Sequence, residues 1–354
     1  MTQPVRIGLI GAGANTKSRH IPGFLAIPDV KIVAVCNRRP ESSAAVAREF
    51  GVARTFDKWE ELVADPGLDA IAVGTWPYLH CPIVLTALEA GKHVLTEARM
   101  AMNAAEARSM LTALKQNPKL VGQIVPSPFG LRGDALVKKL LNDGYIGELR
   151  EATVFGMNDS LGDGNVPLHW RQDATLSGYN MLQLGIIHET LMRWTPPTVR
   201  VVAQVHAFVP SRLDPESGIH RAVGTPDSVQ VLSTMANNAC GVYQFSGVTP
   251  VGGGLSITLR GSAGMIHYDF QTDKLFGLTA QDAKANKKAP AELDVPSEFT
   301  GGWRVEADFI NSIREGAPVR FTDFVTGVNY MEFTEAVARS AREGVAVTVP
   351  RVEA

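Results

Sequence analysis

The sequence predicts an α/β domain with a doubly wound parallel sheet, then an α+β domain with an open, mainly antiparallel sheet. Three observations carry that expectation. Short apolar runs alternate with helix-period segments through the first 125 residues, the pattern of a parallel sheet covered by helices. Pro126-Ser127-Pro128 then interrupts the alternation and marks the expected boundary, giving domains over 1–126 and 127–354. From residue 199 to about 270, apolar runs separated by glycine-rich breaks read as successive strands of one sheet.

In chain order, residues 5–10, 31–35, 68–73, 93–95 and 120–125 read as strands, each a short apolar run. Helical periodicity fills 42–50, 78–90 and 104–115 between them. Beyond the boundary, 134–142 reads as a helix and 149–158 as a strand. A second helix over 182–194 is stopped by Pro196-Pro197. Strands follow at 201–208, 228–235, 241–247, 255–260 and 265–270. The stretch 281–296, rich in Ala, Lys and Asp, reads as a mobile surface loop. Helical patterns at 305–315 and 325–343 close the chain, free to pack back on the first domain.

Composition bounds the function. Hydrophobic residues make up 45% and charged residues 20% of the chain, as in ordinary globular proteins. The 34 basic and 36 acidic residues nearly cancel, and no basic tract invites nucleic acid or an anionic membrane. No apolar run approaches a membrane span, and Met1-Thr2-Gln3-Pro4 leads into a strand with no signal-peptide pattern. Cys36, Cys81 and Cys240 lack metal-binding spacing and cannot all pair. The expectation is a cytoplasmic protein with reduced thiols and no metal.

A strand running into Gly11-Ala12-Gly13 and then a helix is the opening of a Rossmann dinucleotide site. The glycines let the backbone approach a pyrophosphate, whose charge the helix N-terminus then meets. The usual third glycine is absent. Asn15, Thr16 and Lys17 occupy that turn, as phosphate ligands or as solvated helix-start residues. The second strand ends in Asn37-Arg38-Arg39, where a carboxylate would normally take the ribose hydroxyls. A neutral Asn37 removes repulsion toward a 2′-phosphate, and Arg38 or Arg39 can pair with one. NADP is therefore expected ahead of NAD.

Gly91-Lys92-His93-Val94-Leu95-Thr96-Glu97-Ala98-Arg99-Met100 resembles the end of the fifth Rossmann strand in the Gfo/Idh/MocA family of nicotinamide-dependent oxidoreductases. Thr75-Trp76-Pro77-Tyr78-Leu79-His80 resembles the family segment that follows the fourth strand and runs past the nicotinamide ribose. Trp170-Arg171-Gln172-Asp173 with Leu176-Ser177-Gly178 resembles the approach to the catalytic helix of the second domain. Phe309–Gly316 and Ser340–Gly344 resemble the closing helices, so the resemblance covers nearly the whole chain. It implies a cofactor role for Thr75, Trp76, His80 and Glu97. It also implies a small, carbohydrate-like substrate and a homo-oligomer, either dimer or tetramer.

The departures fall on the chemistry. Family strands end in Glu-Lys-Pro, and the lysine serves the reacting hydroxyl; here that position is Ala98. The family also carries an aspartate and, four residues on, a histidine, which a helix places on one face. In this chain either Gln183 and Ile187 or Leu184 and His188 take those places, so the aspartate is missing in both registers. His188 and Tyr179 remain as proton carriers, although a lone histidine in an apolar helix is commonly a core residue. Arg99, Trp170, Arg171, Asn180 and Gln183 are the candidate substrate ligands. An indole face suits a sugar ring, and a guanidinium suits an anion.

The expected activity is hydride transfer between a nicotinamide and a sugar, cyclitol or related polyol, using a non-standard acid–base set. Two alternatives stand beside it. One is a nucleotide-binding regulator without turnover, since a fold does not fix its function. The other is a lyase or glycosidase that oxidises its substrate transiently with bound cofactor.

Overall fold

Six parallel strands form one sheet in the order β3-β2-β1-β4-β5-β6. They are β1 (Val5–Ile10), β2 (Val30–Cys36), β3 (Arg54–Phe56), β4 (Ala70–Val73), β5 (His93–Thr96) and β6 (Gly122–Ile124). β1, β4 and β5 are buried along nearly their whole length, as strands are when both faces of a sheet are covered. The helices Pro40–Phe50, Trp59–Ala64, His80–Glu89 and Ala104–Gln116 lie between consecutive strands. The order reverses at β1, whose neighbours are β2 and β4. That reversal opens a crevice beyond the carboxyl ends of the strands, where ligands of doubly wound sheets bind.

The computed structural model describes residues 4–353. It divides into two compact units, the first comprising this sheet together with Arg304–Met331. The second unit holds Ser127–Trp303 and Glu332–Arg351. The helical pattern at 305–315 thus belongs to the first unit, and the pattern at 325–343 is divided between the two.

The second unit is built on nine strands in the order β16-β15-β14-β13-β7-β12-β11-β8-β17. β7 (Leu149–Met157) and β8 (Thr198–His206) come first, and β9 (Ser211–Leu213) pairs with β10 (His220–Ala222) as a separate hairpin. β11 (Ser228–Met235), β12 (Cys240–Ser246), β13 (Gly254–Gly261), β14 (Gly264–Asp269), β15 (Lys274–Thr279), β16 (Ala291–Leu293) and β17 (Val347–Thr348) complete the set. Only β7 and β12 run parallel; every other neighbouring pair is antiparallel. Alternate strand residues such as Val229 and Val231, or Tyr243 and Phe245, point into a core shared with Leu184, Ile187 and Leu191 of the helix Leu184–Met192.

Two expectations about elements are corrected. Residues 281–296 are not one loop. A short helix, Ala280–Lys284, starts there with a Thr279/Asp282 capping box, and β16 adds an edge strand to β15. The helix expected over 182–194 begins only at Leu184, because Leu182 takes φ 44° and turns the chain immediately before it.

Candidate functional site

The glycine turn is fixed by backbone geometry before any ligand is considered. Gly11 has φ 86°, and a Cβ there would lie 2.6 Å from the Thr75 nitrogen. A Cβ on Gly74 would come within 2.3 Å of the Gly11 carbonyl oxygen, so the turn and the end of β4 touch through their backbones. Gly13 differs: a Cβ there would meet no protein atom within 4 Å. Its open side faces a cleft of about 640 Å³ lined by Gly11, Gly13, Asn37, Arg38, Thr75 and Trp76 among others. The Thr75 hydroxyl oxygen is buried in the wall of this cleft and has no protein partner. An orphaned hydroxyl beside a bare glycine turn fits a dinucleotide pyrophosphate.

At the end of β2, the Asn37 side-chain oxygen accepts the Ala12 N–H at 2.6 Å, and the Asn37 N–H donates to Ser43 Oγ at 2.8 Å. The amide thereby ties the glycine turn to the helix Pro40–Phe50. The Arg38 guanidinium lies 5.8 Å from the Trp76 ring centroid, so two candidate cofactor residues share one wall. Ser42, Asp57, Lys58, Trp59 and Glu60 also line the cleft and were not expected from the sequence. Four of them follow β3, a three-residue strand too short to announce itself. The signal available was the Glu60-Glu61 pair at a helix start.

Several proposed ligands of this unit are used elsewhere. Lys17 pairs with Glu49 at 2.5 Å and covers the Phe50 ring, so its charge is directed away from a pyrophosphate. The Thr16 hydroxyl donates to the Gly11 carbonyl at 3.2 Å and is packed against Gly74. Arg39 is exposed outside the cleft lining, and its carbonyl receives the amides of Ser42 and Ser43 at the helix start. His80 is buried between the Thr75 and Arg99 carbonyls, each 3.0 Å from a ring nitrogen, and burial lowers its pKa. It joins the segment after β4 to the segment after β5 and does not line the cleft. Arg99 is only 9% exposed, which leaves little of its guanidinium for a substrate anion.

Glu97 stands in a buried network. Its Oε1 accepts from the Asn15 amide and lies 3.0 Å from His20 Nε2, while His20 Nδ1 lies 2.5 Å from Glu306 Oε1. Burial alone would lower the His20 pKa, but hydrogen bonds to Glu306 and Glu97 outweigh it and raise the value to about 9. For Glu97, burial favours the neutral acid, and the bond to His20 overcomes it, so the pKa falls below the usual carboxylate range. An imidazolium between two carboxylates is the stable arrangement. It holds the helix Val305–Glu315 to the end of β5.

In the second unit, His188 is a core residue. Its ring stacks on Phe333 and lies 2.9 Å from the Tyr243 hydroxyl through Nδ1. Burial pushes its pKa down to about 3. A neutral imidazole enclosed in this way has no access to a substrate hydroxyl, so the expectation of a catalytic His188 is corrected. Leu184 and Ile187 are fully buried too, and of the two registers only Gln183 reaches the surface. Asn180 is 1% exposed and donates to the Ser177 carbonyl, which makes it part of the turn before the helix. Tyr179 is 37% exposed, and its hydroxyl bonds the Arg342 side chain. His169, Trp170 and Arg171 form a surface stack, with the Arg171 guanidinium 4.2 Å from the Trp170 centroid. One indole face therefore carries a cation, and the donors of Arg171 are held in a fixed plane.

Fold and cleft are those of a Rossmann dinucleotide-binding protein, and sequence comparison identifies the oxidoreductase family. Residues 5–124 match the oxidoreductase family with an NAD-binding Rossmann fold, and 135–267 match the Gfo/Idh/MocA C-terminal domain. The chain belongs to the Gfo/Idh/MocA oxidoreductase family. It is 24% identical to the levoglucosan dehydrogenase of Pseudarthrobacter phenanthrenivorans, over 99% of this chain and 100% of that one. It is 26% identical to the trans-1,2-dihydrobenzene-1,2-diol dehydrogenase of Mus musculus, over 98% of each chain. Its fold matches a levoglucosan dehydrogenase structure in complex with NADH and levoglucosan at a TM-score of 0.85, with 24% identity over 99% and 100% of the two chains. Among the described residues, no helix is long and apolar enough to cross a membrane, and no group of His, Cys, Asp and Glu is arranged to hold a metal.

Proposed function

We propose that the protein oxidises a carbohydrate-like polyol with NADP+, or reduces its keto form with NADPH, Tyr179 moving the hydroxyl proton. The observation that carries the reading is the cleft at the glycine turn, where Gly13 leaves open space and the buried Thr75 hydroxyl awaits an acceptor. Relatives that span this chain from end to end are named for the oxidation of an anhydrosugar and of a cyclic diol, which supports a polyol substrate. When bound, the nicotinamide supplies the hydride acceptor or donor. The chain supplies the rest. Gly11 and Gly13 admit the pyrophosphate, and Thr75 lines the same wall. Tyr179 is the exposed phenol that remains once His188 is assigned to the core. Trp170, Arg171 and Gln183 orient the hydroxyls.

Arg38 favours NADP, because its guanidinium lines the cleft beside Trp76 and the neutral Asn37 stands where a carboxylate would repel a phosphate. NAD is the second reading, favoured by Asp57 and Glu60, which bring carboxylates into the same cleft. The deciding experiment mixes stoichiometric protein with NADP+ or NAD+ and a panel of levoglucosan, D-glucose and myo-inositol, read at the nicotinamide absorbance. Reduction of NADP+ by one of these sugars at a higher rate than NAD+ supports the reading. Tight cofactor binding with no reduction of NADP+ by any of them, and no oxidation of NADPH by the corresponding ketones, refutes it.

A further inference from the structure

The hairpin β9–β10 carries two arginines with unequal surroundings. Arg212 on β9 is 0% exposed, and among the described residues no carboxylate pairs with it. Its guanidinium donates instead to three backbone carbonyls of the preceding loop. Those are Asp163 at 2.6 Å, Val166 at 3.0 Å and Leu161. A charge this deeply buried persists only where its hydrogen bonds replace water, so the loop must hold its shape for the arginine to remain. Arg221 on β10 reaches the other end of the same segment, donating to Asp173 at 3.0 Å. The backbone joins in between: the Leu168 N–H donates to the Leu213 carbonyl at 2.8 Å, and the Gly224 N–H to the Gln172 carbonyl at 2.8 Å. The stretch fixed at both ends contains His169, Trp170 and Arg171.

We infer that the β9–β10 hairpin is the substrate-positioning element of this protein: Arg212 and Arg221 brace the segment from which Trp170 and Arg171 meet the polyol, and so set its affinity. The inference rests on the reading of Trp170 and Arg171 as substrate ligands. Neither hairpin arginine touches the substrate; both act through the segment they hold. Fixing that backbone beforehand removes the cost of ordering it on binding. It also keeps the Arg171 guanidinium stacked, so that its fork of donors meets adjacent hydroxyl or carboxylate oxygens in one orientation. The effect therefore falls on KM and on discrimination among polyols, with kcat little altered.

The test uses the full chain and two kinds of readout. Hydrogen exchange is followed for the amides of 166–173 in wild type, Arg212→Lys and Arg221→Gln. Loss of protection by about tenfold or more there, with β1 and β4 unchanged, is the expected result; unchanged exchange in both variants overturns the inference. Steady-state kinetics with the panel sugar that wild type oxidises fastest, beginning with levoglucosan, should then show KM raised by about tenfold with kcat within about twofold. Arg221→Lys should restore the wild-type KM. Equal loss of kcat and kcat/KM, or no change in either, overturns the positioning role. Trp170→Ala separates the two claims. If it leaves KM untouched, the assignment of Trp170 as a ligand has failed; if it raises KM while the hairpin variants do not, only the hairpin inference has failed.

Discussion

The imidazole of His188 lies flat on the ring of Phe333, with centroids 3.5 Å apart and planes 9° from parallel. The contact joins the helix Leu184–Met192 to the helix Phe324–Glu343, and Tyr243 of β12 closes the third side through its hydroxyl. The relationship turns the best acid–base candidate in the sequence into a piece of the core, and it has a thermodynamic signature.

That signature is acid lability. Burial lowers the His188 pKa from 6.5 to about 3, so between these values the unfolded chain binds a proton that the folded one refuses. Stability must then fall as pH falls below 6.5, by about 2 kcal/mol between pH 7 and pH 5 for this group. Urea denaturation of wild type and His188→Leu at the two pH values checks it. The variant should lose less stability on acidification, and in its folded fraction kcat should stay near wild type. A collapse of kcat with stability intact would return His188 to the chemistry.

His20 predicts the opposite slope. Held between Glu306 and Glu97, it has a pKa near 9, so its contribution is fully present below 6.5 and is lost as pH rises through 9. His20→Asn should therefore destabilise the protein at pH 7 and much less at pH 10. Titration of the ring proton resonances gives a direct check: an inflection near 9 is expected, and one near 6.5 would contradict the charged state.

Arg38→Ala should cut NADP affinity by about tenfold to a hundredfold, the worth of one charge-assisted hydrogen bond, and leave NAD affinity nearly unchanged. Direct titration of both nucleotides measures the ratio. If the ratio does not move, Arg38 serves only as a lid on Trp76.

Tyr179→Phe removes the hydroxyl of an exposed phenol while keeping its ring. If that phenol carries the hydroxyl proton, kcat should fall by about a hundredfold or more, within the usual range for acid–base catalysis, with cofactor affinity unchanged. A kcat within a few-fold of wild type would leave the phenol only its bond to Arg342.

Legibility in the sequence followed the range of the interactions. The parallel sheet showed itself because β1, β4 and β5 are continuous apolar runs, and the glycine turn because Gly11 is required by its own φ of 86°. β3 did not, since Arg54-Thr55-Phe56 has no such run; with it went Asp57, Lys58, Trp59 and Glu60 of the cleft. β16 was equally silent, being a strand by virtue of its pairing with β15. The side chains misjudged, Lys17, Thr16 and His188, were settled by partners distant in sequence or by the fold of the turn: Glu49, Gly74 and Phe333. Periodicity reports which face a residue occupies, whereas the group waiting on that face is a tertiary fact.

The two glycines of the turn separate folding from binding. Gly11→Val places a side chain against the Thr75 backbone at a positive φ, so it should destabilise the first unit by about 3 kcal/mol. Gly13→Val meets no protein atom within 4 Å of its Cβ and should fold with a wild-type melting temperature. Its methyl groups would instead enter the cleft beside Thr75 and Arg38, where the pyrophosphate is expected. Cofactor affinity should drop by about a hundredfold or more, as a loss of roughly 3 kcal/mol implies. Thermal melts with and without NADPH decide the matter: wild type should gain stability from the nucleotide and Gly13→Val should not. Equal stabilisation of both would mean that the dinucleotide approaches the sheet by a route other than the glycine turn.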